Sequence, residues 1–213
     1  MNDIVKNFQN IKSSINNSNV NIIAVSKTFP LNKIKPLIDS GHKHFGENKI
    51  QEANTKWSKI KNEVPDLILH MIGRLQSNKA KEAVSLFDYI HSVDNSKLAS
   101  LLSKFESSLN LRRKYFIQVN IGNEKQKGGV NSDELDSFYD YCSRDLKLNI
   151  VGLMSIPPID NNVSKYFKKL MELNHLLGLK ELSMGMSGDY IEAIRYEATF
   201  LRIGSAIFGD RNQ

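Results

Sequence analysis

Short apolar runs alternate with amphipathic stretches along the whole chain, and this pattern constrains the fold more than any other feature. The runs stand at residues 20–26, 44–46, 67–72, 89–92, 115–120, 150–155, 181–184 and 200–203, each bounded by turn-forming or polar residues. Helical spacing fills the intervals, at 32–40, 50–62, 78–87, 96–109, 132–143, 163–177 and 190–196. A strand followed by a helix returns the chain to the same end of the sheet, so successive strands pair in parallel. Eight such units predict an α/β fold of the closed (β/α)8 TIM-barrel type. An extra N-terminal helix precedes it, with Ile4, Val5, Phe8, Ile11 and Ile15 on one face. The competing architecture is an open, doubly wound sheet, which ordinarily carries a glycine-rich turn after its first strand. The segment Ser26-Lys27-Thr28-Phe29-Pro30 contains no glycine. With 213 residues, no repeat and no Gly/Ser/Pro-rich linker, one domain over 1–213 is the simplest organisation.

In such a barrel, functional residues gather at the C-terminal ends of the strands and in the loops that follow. Those positions here hold Lys27, Gly46-Glu47-Asn48, the stretch 73–78, Asn120, Met154-Ser155, Gly185-Met186-Ser187 and Gly204-Ser205. Lys27 ends an apolar run, and desolvation of an amine lowers its pKa and frees it to attack a carbonyl. Taken alone, the position is better explained by a solvated lysine capping a strand. The segments 183–188 and 202–209 each run from strand through glycine and serine into a helix. Glycines admit an anion close to the backbone, where N–H groups and hydroxyls satisfy its oxygens, and barrels frequently seat phosphate after strands seven and eight. Tight turns alone would account for each glycine separately; two such loops in the expected places favour phosphate. A lysine opposite a phosphate seat, with Arg202 between them, outlines a site for pyridoxal 5′-phosphate. The amine would form a Schiff base with the aldehyde. Arg202 would face the pyridine nitrogen and keep it unprotonated, because a second positive charge there is repelled.

The motifs Ala24-Val25-Ser26-Lys27-Thr28, Phe45-Gly46-Glu47-Asn48 with Gln51-Glu52, and Ile72-Gly73-Arg74-Leu75-Gln76-Ser77-Asn78-Lys79 then become recognisable. So do Val119-Asn120-Ile121, Gly152-Leu153-Met154 and the segments 182–187 and 202–209. In this order they resemble the pyridoxal phosphate homeostasis proteins, small single-domain relatives of the alanine racemase barrel (fold type III). The resemblance implies Lys27 as the Schiff-base lysine and Arg202 as partner of the pyridine nitrogen. It implies Ser187, Gly204 and Ser205 around the phosphate, with Asn48 and Met184 near the ring, and neither a metal nor catalytic residues. Ser205 stands where many relatives carry threonine, and Glu197-Ala198-Thr199 replaces a more usual Gly-Ser-Thr.

Three classes of function compete: a non-catalytic carrier that buffers pyridoxal phosphate or delivers it to apoenzymes, an amino-acid racemase, and a barrel for another phosphorylated ligand. Racemisation needs an acid/base group on each face of the substrate carbon. In the racemases the resemblance points to, the second group is a tyrosine from an additional C-terminal domain, and this chain stops at Gln213. Tyr89, Tyr115 and Tyr166 fall at strand starts or on outer helices, and Tyr190 reads as helix packing, so the carrier is favoured. A net charge of +6 would admit nucleic acid, but the lysines (Lys33/Lys35, Lys56/Lys59/Lys61, Lys79/Lys81, Lys168/Lys169) fall on outer helix faces without an aromatic platform. A basic surface suits an anionic small molecule equally well. The five histidines, His42, His44, His70, His91 and His175, show no ligand spacing, and a strand histidine such as His70 reads as a hydrogen-bonded core residue. One cysteine, Cys142, fits packing in a reducing compartment. No secretory signal and no apolar run of about 20 residues is seen. A cytoplasmic protein with no membrane partner, monomeric or weakly dimeric, is expected. In the loop 122–129, Lys125 and Lys127 would attract or transiently accept the cofactor, unless the loop is simply solvated.

Overall fold

A computed structural model describes residues 2–15, 19–124, 126–160 and 162–210. The eight apolar runs form β1 (Asn21–Val25), β2 (His44–Glu47), β3 (Ile68–Met71), β4 (Tyr89–Val93), β5 (Lys114–Gln118), β6 (Ile150–Met154), β7 (Glu181–Met186) and β8 (Phe200–Ile203). All pair in parallel and in chain order, and β8 returns to β1, with Ile23 opposite Arg202 and Ala24 opposite Ile203. The predicted (β/α)8 barrel is the observed architecture.

Helix α1 (Asp3–Ser14) precedes the barrel, capped by the Asn2 side chain on the Ile4 N–H. The strands are then joined by α2 (Leu31–Asp39), α3 (Ile50–Glu63), α4 (Ala80–Leu86) and α5 (Ser96–Leu109). The second half contains α6 (Leu135–Asp140), α7 (Ser164–Leu176) and α8 (Tyr190–Arg195), and a short α9 (Ser205–Phe208) follows β8. Two predicted helices differ in detail. The 78–87 pattern opens as a 3-10 turn at Ser77–Lys79. The 132–143 pattern is helical only from Leu135 and widens into a π-helical turn, Tyr141–Asp145, which buries Cys142.

Side chains alternate across each strand, so one apolar run feeds two cores. Ile23, Val25, Ile72, Phe116, Met154 and Phe200 fill the barrel interior. Ile22, Ala24, Phe45, Leu69, Met71, Leu182 and Leu201 face outward under the helices, where Trp57 of α3 packs against Phe45 with tilted rings, 5.0 Å between centroids. Burial on both faces is why these strands read as continuous apolar runs rather than alternating ones.

In the pairing of β6 with β7, Gly152 lies opposite Glu181. A Cβ at Gly152 would overlap the Glu181 carbonyl. Gly152→Ala is therefore expected to destabilise the barrel by about 2 kcal/mol or more, read as a lowered denaturation midpoint. A wild-type midpoint would show that the two strands separate freely.

Candidate functional site at the barrel mouth

Lys27, Asn48, Ser187, Arg202, Gly204 and Ser205 line one cavity of about 290 Å³ at the C-terminal ends of the strands, with Val25, Phe29, Ile72, Ile156 and Met186 as apolar walls. Six of the seven residues expected from the sequence are thus brought together. Met184 is not among them. Its side chain is fully buried under the helices, in the same layer as Leu182. The pairing of β7 with β8 shifts register between Ser183 and Met186, and Gly185, at φ +90°, absorbs the extra residue. This bulge makes Met186 the methionine at the cavity. Gly185 packs against Ala193 and serves this turn, whereas Gly188 and Gly204 do line the cavity.

Lys27 follows β1 with the parity of Ile23 and Val25, which face the interior. Its neighbours are gripped from the other side of the sheet. Glu47, fully buried, accepts hydrogen bonds on Oε1 from Ser26 Oγ (2.7 Å), Lys56 Nζ (2.9 Å) and Trp57 Nε1 (2.9 Å). Lys56 also donates to the Ser26 carbonyl (2.8 Å) and to Glu52 (3.0 Å), and Glu52 accepts the Thr28 N–H. Thr28 sits at φ 67°, a conformation that a β-branched residue rarely adopts without support. The network supplies that support on both sides of Lys27. Lys56 was expected on an outer helix face, yet its side chain is only 8% exposed. The spacing of Glu52 and Lys56, one helical turn apart next to the 45–52 motif, was the available signal.

Arg202 is 5% exposed and enters the cavity from β8. Nη1 donates to Ser183 Oγ (2.8 Å) and Nη2 to the Ser155 carbonyl (2.8 Å). Burial lowers its pKa to about 10, with Asp189 opposing the shift, so it stays a cation at neutral pH. Beneath it the histidines are not isolated, as their sequence positions suggested. His91 Nδ1 lies 2.8 Å from Ser183 Oγ, His70 Nδ1 lies 2.9 Å from His91 Nε2, and His44 Nδ1 lies 3.0 Å from His70 Nε2. Strand order places them side by side, since β2, β3 and β4 are neighbours. Burial, reinforced by Arg202 at His91 and by His91 at His70, holds both rings' pKa well below the ordinary value. They are core residues, as expected. No cluster of three or more potential metal ligands occurs among the described residues.

At the opposite wall, Ser187 Oγ accepts the N–H groups of Gly204 and Ala206, each at 3.3 Å. Its own proton is then available to a ligand. A second cavity of about 300 Å³ adjoins the first, sharing Asn48, Ile72 and Ile156 and lined by Arg74, Gln118, Asn120 and Lys127. The loop 122–129 therefore does reach the mouth, where Asn120 N–H donates to the Val130 carbonyl and Val130 N–H to that of Gln118. Lys127 is paired with Glu124 (2.6 Å) and donates to the Pro157 carbonyl (3.1 Å). Lys125 lies outside the described residues. Tyr190 bonds Ser14 on α1, and neither it nor Tyr89, Tyr115 or Tyr166 lines either cavity.

Comparison with known proteins agrees with this geometry. Residues 1–212 match the family model described as "Alanine racemase, N-terminal domain". The chain is 39% identical over 199 residues to the pyridoxal phosphate homeostasis protein of Aquifex aeolicus, covering 89% of this chain and 86% of that one. PipY of Synechococcus elongatus, solved with pyridoxal phosphate bound, superposes with a TM-score of 0.89 at 34% identity, over 97% of this chain and 100% of that one. Alanine racemase from Corynebacterium glutamicum shares the fold alone, with a TM-score of 0.71 at 15% identity, over 99% of this chain and 62% of its own. The chain belongs to the alanine racemase N-terminal domain family and, within it, to the pyridoxal phosphate homeostasis proteins.

Two predictions follow from the buried charges and rings. Lys56→Met leaves Glu47 buried without its cation and should cost about 3 kcal/mol or more, measured as a fall in the denaturant midpoint. An unchanged midpoint would show that Glu47 is neutral in the fold. Burial also lowers the pKa of His42, to about 4, and that of His44. With His70 and His91, these rings bind protons more readily unfolded than folded. Stability should be full above about pH 6.5 and fall as pH drops from there toward the folded values. Denaturation midpoints at pH 7.5 and pH 5 test this, and equal midpoints would contradict it.

Proposed function

We propose that this chain binds pyridoxal 5′-phosphate as a Schiff base on Lys27 and serves, without catalysis, in intracellular homeostasis of the cofactor, by buffering it or delivering it to apoenzymes. The observation that carries this reading is the convergence of Lys27, Arg202 and the Ser187/Gly204/Ser205 wall on one cavity. The donor set fits the cofactor. Lys27 supplies the amine for the aldehyde, and a permanent cation at Arg202 suits an unprotonated ring nitrogen. The Ser187 and Ser205 hydroxyls suit phosphate oxygens, with Ser187 held in place by the Gly204 and Ala206 N–H groups. Asn48 lies where the two cavities meet and would stand near the ring. When bound, the cofactor supplies a reactive aldehyde, and attachment to Lys27 masks it. Relatives bearing the name pyridoxal phosphate homeostasis protein, and PipY solved with pyridoxal phosphate bound, support the same reading.

The non-catalytic part rests on the wall chemistry. Among the described residues, Lys27 and Arg202 are the ionisable groups lining the cavity, and Arg202 is too basic to shuttle protons at neutral pH. Racemisation would lack its second acid/base group within this cavity. A cytoplasmic setting accords with Cys142, a buried thiol whose pKa burial pushes up to about 12, which makes it inert. No helix among the described residues is long and apolar enough to cross a membrane. A monomer or weak dimer is the proposed working form.

Titration of the purified protein with pyridoxal phosphate should raise an absorption band near the edge of the visible range. Lys27→Ala should lack it, and Arg202→Gln should bind at least about tenfold more weakly. No band in the wild type would overturn the assignment. Efficient racemisation or decarboxylation of amino acids by the loaded protein would overturn the non-catalytic role.

A further inference from the structure

The row of buried rings under Arg202 has a definite direction. A guanidinium has only donors, so Ser183 Oγ accepts from Arg202 Nη1. Ser183 is fully buried, and its other hydrogen-bond partner among the described residues is His91 Nδ1. The hydroxyl proton is satisfied only if it is donated to that nitrogen. His91 must then carry its proton on Nε2 and donate to His70 Nδ1, and His70 by the same logic donates from Nε2 to His44 Nδ1. One arginine thus sets the tautomer of three rings. The row crosses the barrel interior from β7 through β4 and β3 to β2, clamped between aromatic side chains. His91 stacks on Phe116 at 4.3 Å and His70 on Tyr89 at 4.6 Å.

We propose that Ser183, His91 and His70 are positioning residues for Arg202, forming a one-way hydrogen-bond chain that holds its unused donors toward the ring-nitrogen end of the cofactor cavity. This rests on the pyridoxal phosphate reading above. The chain matters because of cooperativity. A hydroxyl that donates to a ring, which donates in turn to a second and a third, is a stronger acceptor for the guanidinium than a lone serine. Neutral rings are also required, since a second proton on His91 would confront Ser183 with two donors. Burial keeps both inner rings neutral. None of the three positioning residues lines the cavity, so they act on a ligand only through Arg202.

The direction is testable on the unloaded wild-type protein. Long-range proton–nitrogen NMR correlations at neutral pH should show His91, His70 and His44 as neutral rings protonated on Nε2. A proton on Nδ1 of His91 or His70, or a doubly protonated ring at either, would overturn the chain. The consequence is testable by titration with pyridoxal phosphate. Ser183→Ala should weaken binding about tenfold or more and displace the absorption band. Ser183→Thr, which keeps the hydroxyl, should restore both the affinity and the band. Wild-type affinity and band in Ser183→Ala would overturn the positioning role. If the wild type itself gave no band, the Lys27 reading would fall and the ring-facing role with it, while the NMR result would still decide the chain's direction on its own.

Discussion

The hydrogen-bonded seam between β1 and β8 closes the barrel and makes its first and last strands neighbours. Lys27 and Arg202 are separated by most of the chain, yet Ile23 lies opposite Arg202 across this seam. With side chains alternating along both strands, the positions that continue Ile23 and Phe200 toward the mouth are Val25, Lys27, Arg202 and Gly204. An open sheet with the same elements would leave β1 and β8 unpaired and scatter the cavity's walls. Everything proposed for the site depends on this one closure.

Arg202 and Lys27 sit in different surroundings, and the difference is one of burial. Arg202 has left water almost completely, which is tolerable only because neutral acceptors take its N–H groups and its charge is hard to remove. Lys27 is half-buried, at a turn whose next residue has a left-handed backbone. Glu47, Glu52 and Lys56 fix the residues on either side of it. A buried ion pair of that kind adds little net stability but is costly to break, so it specifies a geometry more than it strengthens a fold.

Much of this was legible in the residues. Eight apolar runs and their spacing sufficed for the barrel, because strands buried on both faces leave an unmistakable mark in sequence. The mouth residues followed from the rule that strand ends face one way. What stayed hidden depended on register and adjacency. Met184 keeps the outward parity of Leu182, and Met186 reaches the cavity only through a single extra residue in β7, which strict alternation cannot anticipate. Lys56 reads as one more surface lysine until Glu47 is known to point under the helices. His44, His70 and His91 are more than twenty residues apart in sequence and become a row only when three strands pair side by side.

A protein that holds a reactive aldehyde without using it must bind firmly at one end of the cofactor and reversibly at the other. In the site proposed here, the firm end is the arginine, fixed from below by serine, histidine and a backbone carbonyl. The reversible end is an amine on a turn at the open mouth, beside a second cavity of similar size that shares Asn48, Ile72 and Ile156. On the same reading, a fixed cation at the ring nitrogen would leave the ring a poor electron sink. Retention would then depend on one residue, and the barrel's buried polar row is what keeps that residue in place.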